Sequence, residues 1–269
     1  MKTKSFLTLL SFCLLFLMPL SLCAQEPVCG KCYKKKSNCP YSCNHPKCKT
    51  CGKFCGARVT PCPYGGKHPK CDACGKLKEN CAYKGKHPTH AGHEYVDLGL
   101  SVKWATCNVG ASSPTGYGNY YAWGEINTSS EYEEETCKTW ELDIGDIGGN
   151  AAYDAARANW GGNWRLPTES EFEELIDNCT YKPTTQKGVA GMRFTSKKNG
   201  NSIFFPAADD CVGASCVPQR SYHGYGNYWS STPHGSLRHA IEMHFMLGGD
   251  ASTSGIYRYY GLLVRPVLE

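Results

Sequence analysis

Apolar residues are distributed along this chain in three regimes. The first is a run from Phe6 to Leu20 behind Lys2 and Lys4, the layout of a secretory signal peptide. Leu22-Cys23-Ala24 supplies a cleavage site, which predicts a signal peptide over 1–24 and a mature start at Gln25. Leu22 is large where a lipoprotein signal needs a small residue, which speaks against a lipid anchor at Cys23. The second regime, 25–93, offers little beyond Val28, Phe54, Val59, Tyr41, Tyr64 and Tyr83. Such a segment cannot bury a core of its own and needs covalent or metal cross-links to fold. The third, 94–269, has the apolar content of an ordinary globular domain and the length for one core. No run after the first is apolar for long enough to span a bilayer.

Within the third regime the pattern predicts short strands separated by Gly, Asn and Pro. Tyr95–Leu100 and Val102–Ala105 read as two strands around a turn. Met192–Phe194, Ser202–Phe205, Tyr228–Ser231, Ala240–Met246 and Leu262–Val267 read the same way. Thr168-Glu-Ser-Glu171 is a capping box opening a helix to Asn178, with Phe172, Leu175 and Ile176 on one face. A weaker helical pattern covers Ala151–Asn159. The expected class is α+β, preceded by a small metal- or disulfide-stabilised repeat module.

The second regime carries the clearest chemistry. A Cys-x-x-Cys pair, a third cysteine and a histidine recur three times: Cys29, Cys32, Cys39, His45; Cys48, Cys51, Cys62, His68; Cys71, Cys74, Cys81, His87. Each histidine lies at the same distance beyond its third cysteine. Three sulfurs and one imidazole per copy are a tetrahedral zinc set, which predicts three ions. The competing expectation is a disulfide framework, since exported cysteines usually oxidise. A disulfide framework has no need of a histidine in step, and three cysteines cannot pair within one copy. Cys43 and Cys55 fall outside the repeat and are expected to pair as Cys43–Cys55. His90 and His93 read as the remnant of a further copy.

Charge follows the same division. Residues 26–93 carry thirteen Lys and Arg58 against Glu26, Asp72 and Glu79, a balance of +11, while 94–269 carry −8. Inside a cell a basic zinc module would suggest nucleic acid, but a signal peptide removes that partner. An anionic surface polymer or the acidic 94–269 domain itself is the better expectation for the basic segment, beside the plain reading that lysines keep it soluble.

Five blocks occur in order after residue 94: Tyr95-Val-Asp-Leu-Gly-Leu-Ser-Val-Lys-Trp-Ala105, Tyr120-Tyr-Ala-Trp-Gly-Glu125, Asn163-Trp-Arg-Leu-Pro-Thr-Glu169, Tyr228-Trp-Ser-Ser-Thr232 and Leu263-Val-Arg-Pro-Val267. They resemble the Fibrobacter succinogenes major paralogous domain of secreted bacterial proteins. The resemblance implies a C-type-lectin-like domain, a fold group shared with formylglycine-generating enzymes and variable ligand-binding proteins. It also implies that the first and last strands pair, so that Tyr95–Leu100 lies near Leu262–Val267.

That fold group hosts catalysts and binders alike. Cys211 and Cys216 have the spacing of the catalytic pair of a formylglycine-generating oxidase, but they precede the Tyr-Trp-Ser-Ser block rather than follow it. A local Cys211–Cys216 disulfide is the preferred reading, and no catalytic residue is assigned. Ser221–Tyr228 and Gly255–Tyr260 are rich in Tyr, Gly, Ser and Asn, the composition of recognition loops. The ligand-binding set that the resemblance and composition suggest is Tyr222, His223, Tyr225, Arg238, Tyr257, Arg258 and Tyr259. The expectation is an exported, non-enzymatic protein of the periplasm, cell surface or medium that binds a glycan or protein ligand. The alternative is a structural cell-surface component that binds a protein partner.

Overall fold

The computed structural model describes residues 89–214 and 223–269, together with Cys71, Leu77, Asn80 and His87. All belong to one unit, His68–Glu269. The signal peptide and the first two Cys/His copies lie outside the described residues.

In chain order the strands are β1 (Thr89–His90), β2 (His93–Val96), β3 (Lys103–Ala105), β4 (Glu131–Tyr132), β5 (Cys179–Gln186), β6 (Val189–Ser196) and β7 (Ser202–Pro206). They continue as β8 (Gly213–Ala214), β9 (Tyr225–Pro233), β10 (His239–Met246), β11 (Ala251–Tyr257) and β12 (Val267–Leu268). Two helices, α1 (Ala155–Trp160) and α2 (Glu169–Asn178), interrupt them. Four sheets result: β1-β2-β3-β12, β11-β10-β9, β5-β6-β7 and the pair β4-β8, every pairing antiparallel. Strand accounts for 38% of the described residues and helix for 11%. The domain is therefore mainly β, which corrects the α+β class expected from the sequence. The two helical patterns are real but short, and the paired strands from β5 to β11 outweigh them.

Helix α2 forms where its local signals place it. Thr168 caps the Glu171 amide, the Glu171 carboxylate accepts from the Thr168 amide, and Phe172 and Leu175 are buried. Arg165 grips the same carboxylate with two hydrogen bonds of 2.9 and 2.7 Å, tying the Trp-Arg-Leu-Pro block to the helix start. Helix α1 begins later than its pattern suggested, because Asp154 is its cap. That fully buried carboxylate accepts from the amides of Ala156, Arg157, Gly149 and Leu166. Burial raises its pKa, while the four amide donors act in the opposite direction.

The motif blocks are the core. Trp123 donates its indole N–H to the Ser230 carbonyl (3.0 Å) and Trp229 donates to the Tyr121 carbonyl (2.7 Å), locking two blocks together. Arg265 is fully buried over the Phe205 ring and donates to Asn108 Oδ1 and to the carbonyls of Ala105 and Phe204. Trp104, Phe172, Phe194, Phe205, Tyr228 and Phe245 fill the space around it. The last strand does not pair with the Tyr95 strand as expected: β12 pairs with β3, Val267 opposite Trp104, and β3 in turn pairs with β2. Tyr95 thus lies one strand away from Val267. Residues 261–263 bridge in turn to Cys211, Tyr121 and Tyr228. No helix among the described residues is long and apolar enough to cross a membrane.

Candidate ligand-recognition surface

Strand β11 ends at Tyr257, directly opposite His239 at the start of β10. Side chains along an extended chain alternate, so Tyr257 and Tyr259 face outward while Arg258 between them points in. Arg258 is 1% exposed. Its guanidinium lies 4.3 Å from the Trp123 ring centre and donates to the carbonyls of His239 (3.1 Å), Thr139 (3.1 Å) and Leu142 (2.6 Å). Those contacts hold the 139–142 loop against the start of β10, and the loop carries Trp140. Arg258 is thus a structural organiser, not a surface group, which corrects its place in the expected ligand-binding set.

What Arg258 organises is an aromatic platform. The Tyr257 and Tyr259 rings stack at 5.4 Å with 16° between planes. Trp140 meets them at 6.0 and 5.4 Å, and Tyr260 closes the group at 4.9 Å from Tyr259. Tyr257 is exposed and Trp140, Tyr259 and Tyr260 are half-buried. Arg238 extends over Trp140 (5.7 Å) and forms an exposed ion pair with Glu141, Nε to Oε1 at 2.7 Å. Burial, then the neighbouring His234, Arg238 and Arg258, lower the pKa of His239, leaving a neutral imidazole beside the rings. Leu142 and Leu237, both largely exposed, flank the patch. Trp140 is the member that sequence reasoning missed: a lone aromatic in a polar loop carries no periodic signal.

The other half of the expected set lies elsewhere. Tyr225, exposed at the start of β9, is opposite Met246 at the far end of β10. Seven residues of extended chain put it about 24 Å from the platform. His223 is exposed beside it, and Tyr222 lies outside the described residues. Trp229 and Phe245 are buried. The glycines of the two Gly-Tyr-Gly-Asn-Tyr runs serve packing: a Cβ on Gly226 would sit 2.3 Å from Phe245 Cζ, and one on Gly118 2.3 Å from the Val109 carbonyl oxygen.

A second polar feature crosses the middle of the same sheet. Glu242 is 6% exposed, its Oε2 has no hydrogen-bond partner, and its Oε1 lies 3.6 Å from His244 Nδ1. Burial first, and the Asp210 charge second, push its pKa up to about 8, so the carboxyl is mostly protonated at neutral pH. His244 contacts Ser252 (3.0 Å) and Ser254 (3.4 Å), and burial lowers its pKa. The signal was available: Glu242 and His244 are the polar members at alternate positions of an apolar strand.

Of the twelve expected zinc ligands, Cys71 and His87 are described, and they meet. Cys71 Sγ lies 3.2 Å from His87 Nε2, and His87 Nδ1 lies 3.3 Å from the Tyr95 carbonyl oxygen. Burial lowers the imidazole's pKa, opposed by the Tyr95 carbonyl and Glu94. Cys29, Cys32, Cys39, His45, Cys48, Cys51, Cys62, His68, Cys74 and Cys81 lie outside the described residues, as do Cys43 and Cys55. Among the described residues no group of three or more His, Cys, Asp or Glu side chains is placed to hold a metal. Cys107, Cys137 and Cys179 are free thiols. Cys211 takes part in a disulfide, and Cys216, its expected partner, lies outside the described residues. His90 and His93 are structural: His90 accepts from the Asn163 amide and Trp164 indole, and His93 stacks on Trp160 at 3.7 Å.

No protein-family model, curated protein or solved structure matches this chain.

Proposed function

We propose that this is an exported, non-enzymatic binding protein of the major paralogous family, whose C-terminal domain recognises a glycan through the Trp140–Tyr257–Tyr259 platform. In this reading the basic Cys/His repeats hold three zinc ions and give the protein a second, electrostatic contact with an anionic surface polymer. The observation that carries the reading is the exposed Tyr257 ring, stacked on Tyr259 and bordered by the Arg238–Glu141 pair. Aromatic faces match the C–H faces of a pyranose ring. The ion pair sets a donor beside an acceptor with little net charge, suited to neighbouring sugar hydroxyls. Titration of the full mature chain with neutral oligosaccharides tests it. Binding should be measurable and should weaken about tenfold in Tyr257→Ala, the loss of one stacked ring. Unchanged binding in that variant refutes the platform.

The exposed Leu142 and Leu237 beside the rings favour a second reading, a surface component that docks a protein partner. A single partner that cross-links to the full chain from the surface fraction, and is released by Tyr257→Ala while no sugar binds, would select it.

A further inference from the structure

We propose that one face of the β9-β10-β11 sheet carries a second binding site, in which Glu242 and Asp210 hold the primary ammonium group of a small ligand. The site is separate from the aromatic platform. Side chains alternate along β11, so Ser254 shares a face with its cross-strand partner Glu242, and Tyr257, three residues on, lies on the other.

Strand register assembles the group. Glu242 and His244 stand two apart on β10 and so share a face. Ser254 lies opposite Glu242 and Ser252 opposite His244 on β11, while Asn227 lies opposite His244 on β9. Asn227 Nδ2 donates to Asp210 Oδ1 at 3.4 Å, which ties the second carboxylate to the same face. Buried Glu242 is the floor, and exposed Ser252, Ser254 and Asp210 are the rim. His244 connects the two levels. Its Nδ1 lies 3.6 Å from Glu242 Oε1 and 3.4 Å from the Ser254 hydroxyl, and its Nε2 lies 3.0 Å from the Ser252 hydroxyl.

This group is rich in acceptors and lacks a cation. Glu242 is 6% exposed and its Oε2 has no hydrogen-bond partner, a costly state for a buried oxygen. Among the described residues neither Glu242 nor Asp210 has a Lys or Arg ion-pair partner. The titratable groups around Glu242 are Asp210 and His244, with His223 beside Asp210, whereas β9 presents Asn227 and Trp229 and β11 presents hydroxyls. Asp210 is close enough for its charge to be felt at Glu242, where it adds to burial in disfavouring the carboxylate. A bound positive charge relieves both effects. No three His, Cys, Asp or Glu side chains among the described residues are placed to share a metal ion. An ammonium asks less, since its three N–H donors are met by Glu242 Oε2, the Asp210 carboxylate and the Ser254 hydroxyl. An amino sugar and an alkylamine both present this group.

The test uses the full mature chain at pH 8, where an alkylamine is still charged. Glucosamine and 1,5-diaminopentane are the probes, and N-acetylglucosamine and 1,5-pentanediol are their uncharged counterparts. Binding is followed by titration calorimetry and by the thermal midpoint. At least one amine should bind and, at about a hundred times its Kd, raise the wild-type midpoint by about 5 °C. Tighter binding of glucosamine assigns the ligand as an amino sugar, and tighter binding of the diamine as an alkylamine. Glu242→Gln, which keeps the shape and removes the charge, should weaken binding at least tenfold, a loss of about 1.4 kcal/mol or more. Asp210→Asn, at the exposed rim, should weaken it about threefold and serves if the first variant fails to fold. Equal binding by the uncharged counterparts, or no loss in either variant, overturns the site. So does the absence of any amine binding to the wild type. Calcium chloride that raises the midpoint through Glu242 while the amines do not would make this a metal site and overturn the ammonium assignment.

Discussion

Two clusters of four rings each have opposite characters. Trp160 and Trp164 with His90 and His93 form one, and Trp140 with Tyr257, Tyr259 and Tyr260 forms the other. In the first, Trp164 is fully buried and its indole N–H is bonded to the His90 carbonyl. In the second, Tyr257 is exposed, and neither its hydroxyl nor the Trp140 indole N–H has a partner among the described residues. The rings alone do not distinguish a seam from a recognition surface. The disposition of their polar ends bears on it, because a buried donor must be paired within the protein and an exposed one can be satisfied by water or by a ligand.

Trp164→Ala attacks the seam and should have the largest effect. It leaves a cavity and an unpaired His90 carbonyl, for a loss of about 3–5 kcal/mol measured by urea unfolding. A loss below about 1 kcal/mol would remove the distinction between the clusters. Arg258→Ala attacks the platform from beneath. Three carbonyls each lose a donor, so stability should fall by about 2–4 kcal/mol and sugar binding should fall with it as the Trp140 loop loosens.

Glu242 is the intermediate case, a buried polar group without a full set of partners. Its folded-state pKa is raised from 4.5 to about 8. The protonated carboxyl's contribution is therefore complete below pH 4.5 and is lost as pH rises through 8. His244, with its pKa lowered by burial, acts below its ordinary value of 6.5, so pH 6.5 to 8 isolates the glutamate. Across that window the wild type should lose about 2 kcal/mol relative to Glu242→Gln, read from thermal midpoints at each pH. Parallel curves would show that the carboxyl is solvated. Tyr257→Ala should have the smallest effect on folding, with a midpoint within about 2 °C of wild type while sugar affinity drops. A large fall in stability would make Tyr257 a seam residue as well.

What was legible in the sequence is what is decided locally. The capping box of α2 needs only Thr168 and Glu171, and the strands at 192–205 show their apolar residues in a short run. Strand β11, Ala-Ser-Thr-Ser-Gly-Ile-Tyr, is polar and exists because β10 pairs with it along its length. Strand β5 contains Pro183, which reads as a break, yet β5 is an edge strand where a missing N–H is tolerated. The mainly β class was missed for this reason: pairing partners, not their own composition, make these segments strands. On the surface, Tyr257, Tyr259 and Arg238 were found by composition, and alternation alone would have turned Arg258 inward. Trp140 was beyond reach, since its position depends on a guanidinium more than a hundred residues away. The meeting of Cys71 with His87 follows from spacing, whereas its attachment to Tyr95 needed the fold.

The pairing of β12 with β3 sets the order of events in folding. The central strand of the first sheet cannot be flanked on both sides until Val267 and Leu268 are available, so closure waits for contacts of very high sequence separation, the slowest kind to form. Cys71, Cys137 and Cys179 are shielded only in the finished fold. In an oxidising compartment these thiols are in a race: they stay reduced when closure outruns oxidation, and slower closure gives mispaired, trapped chains.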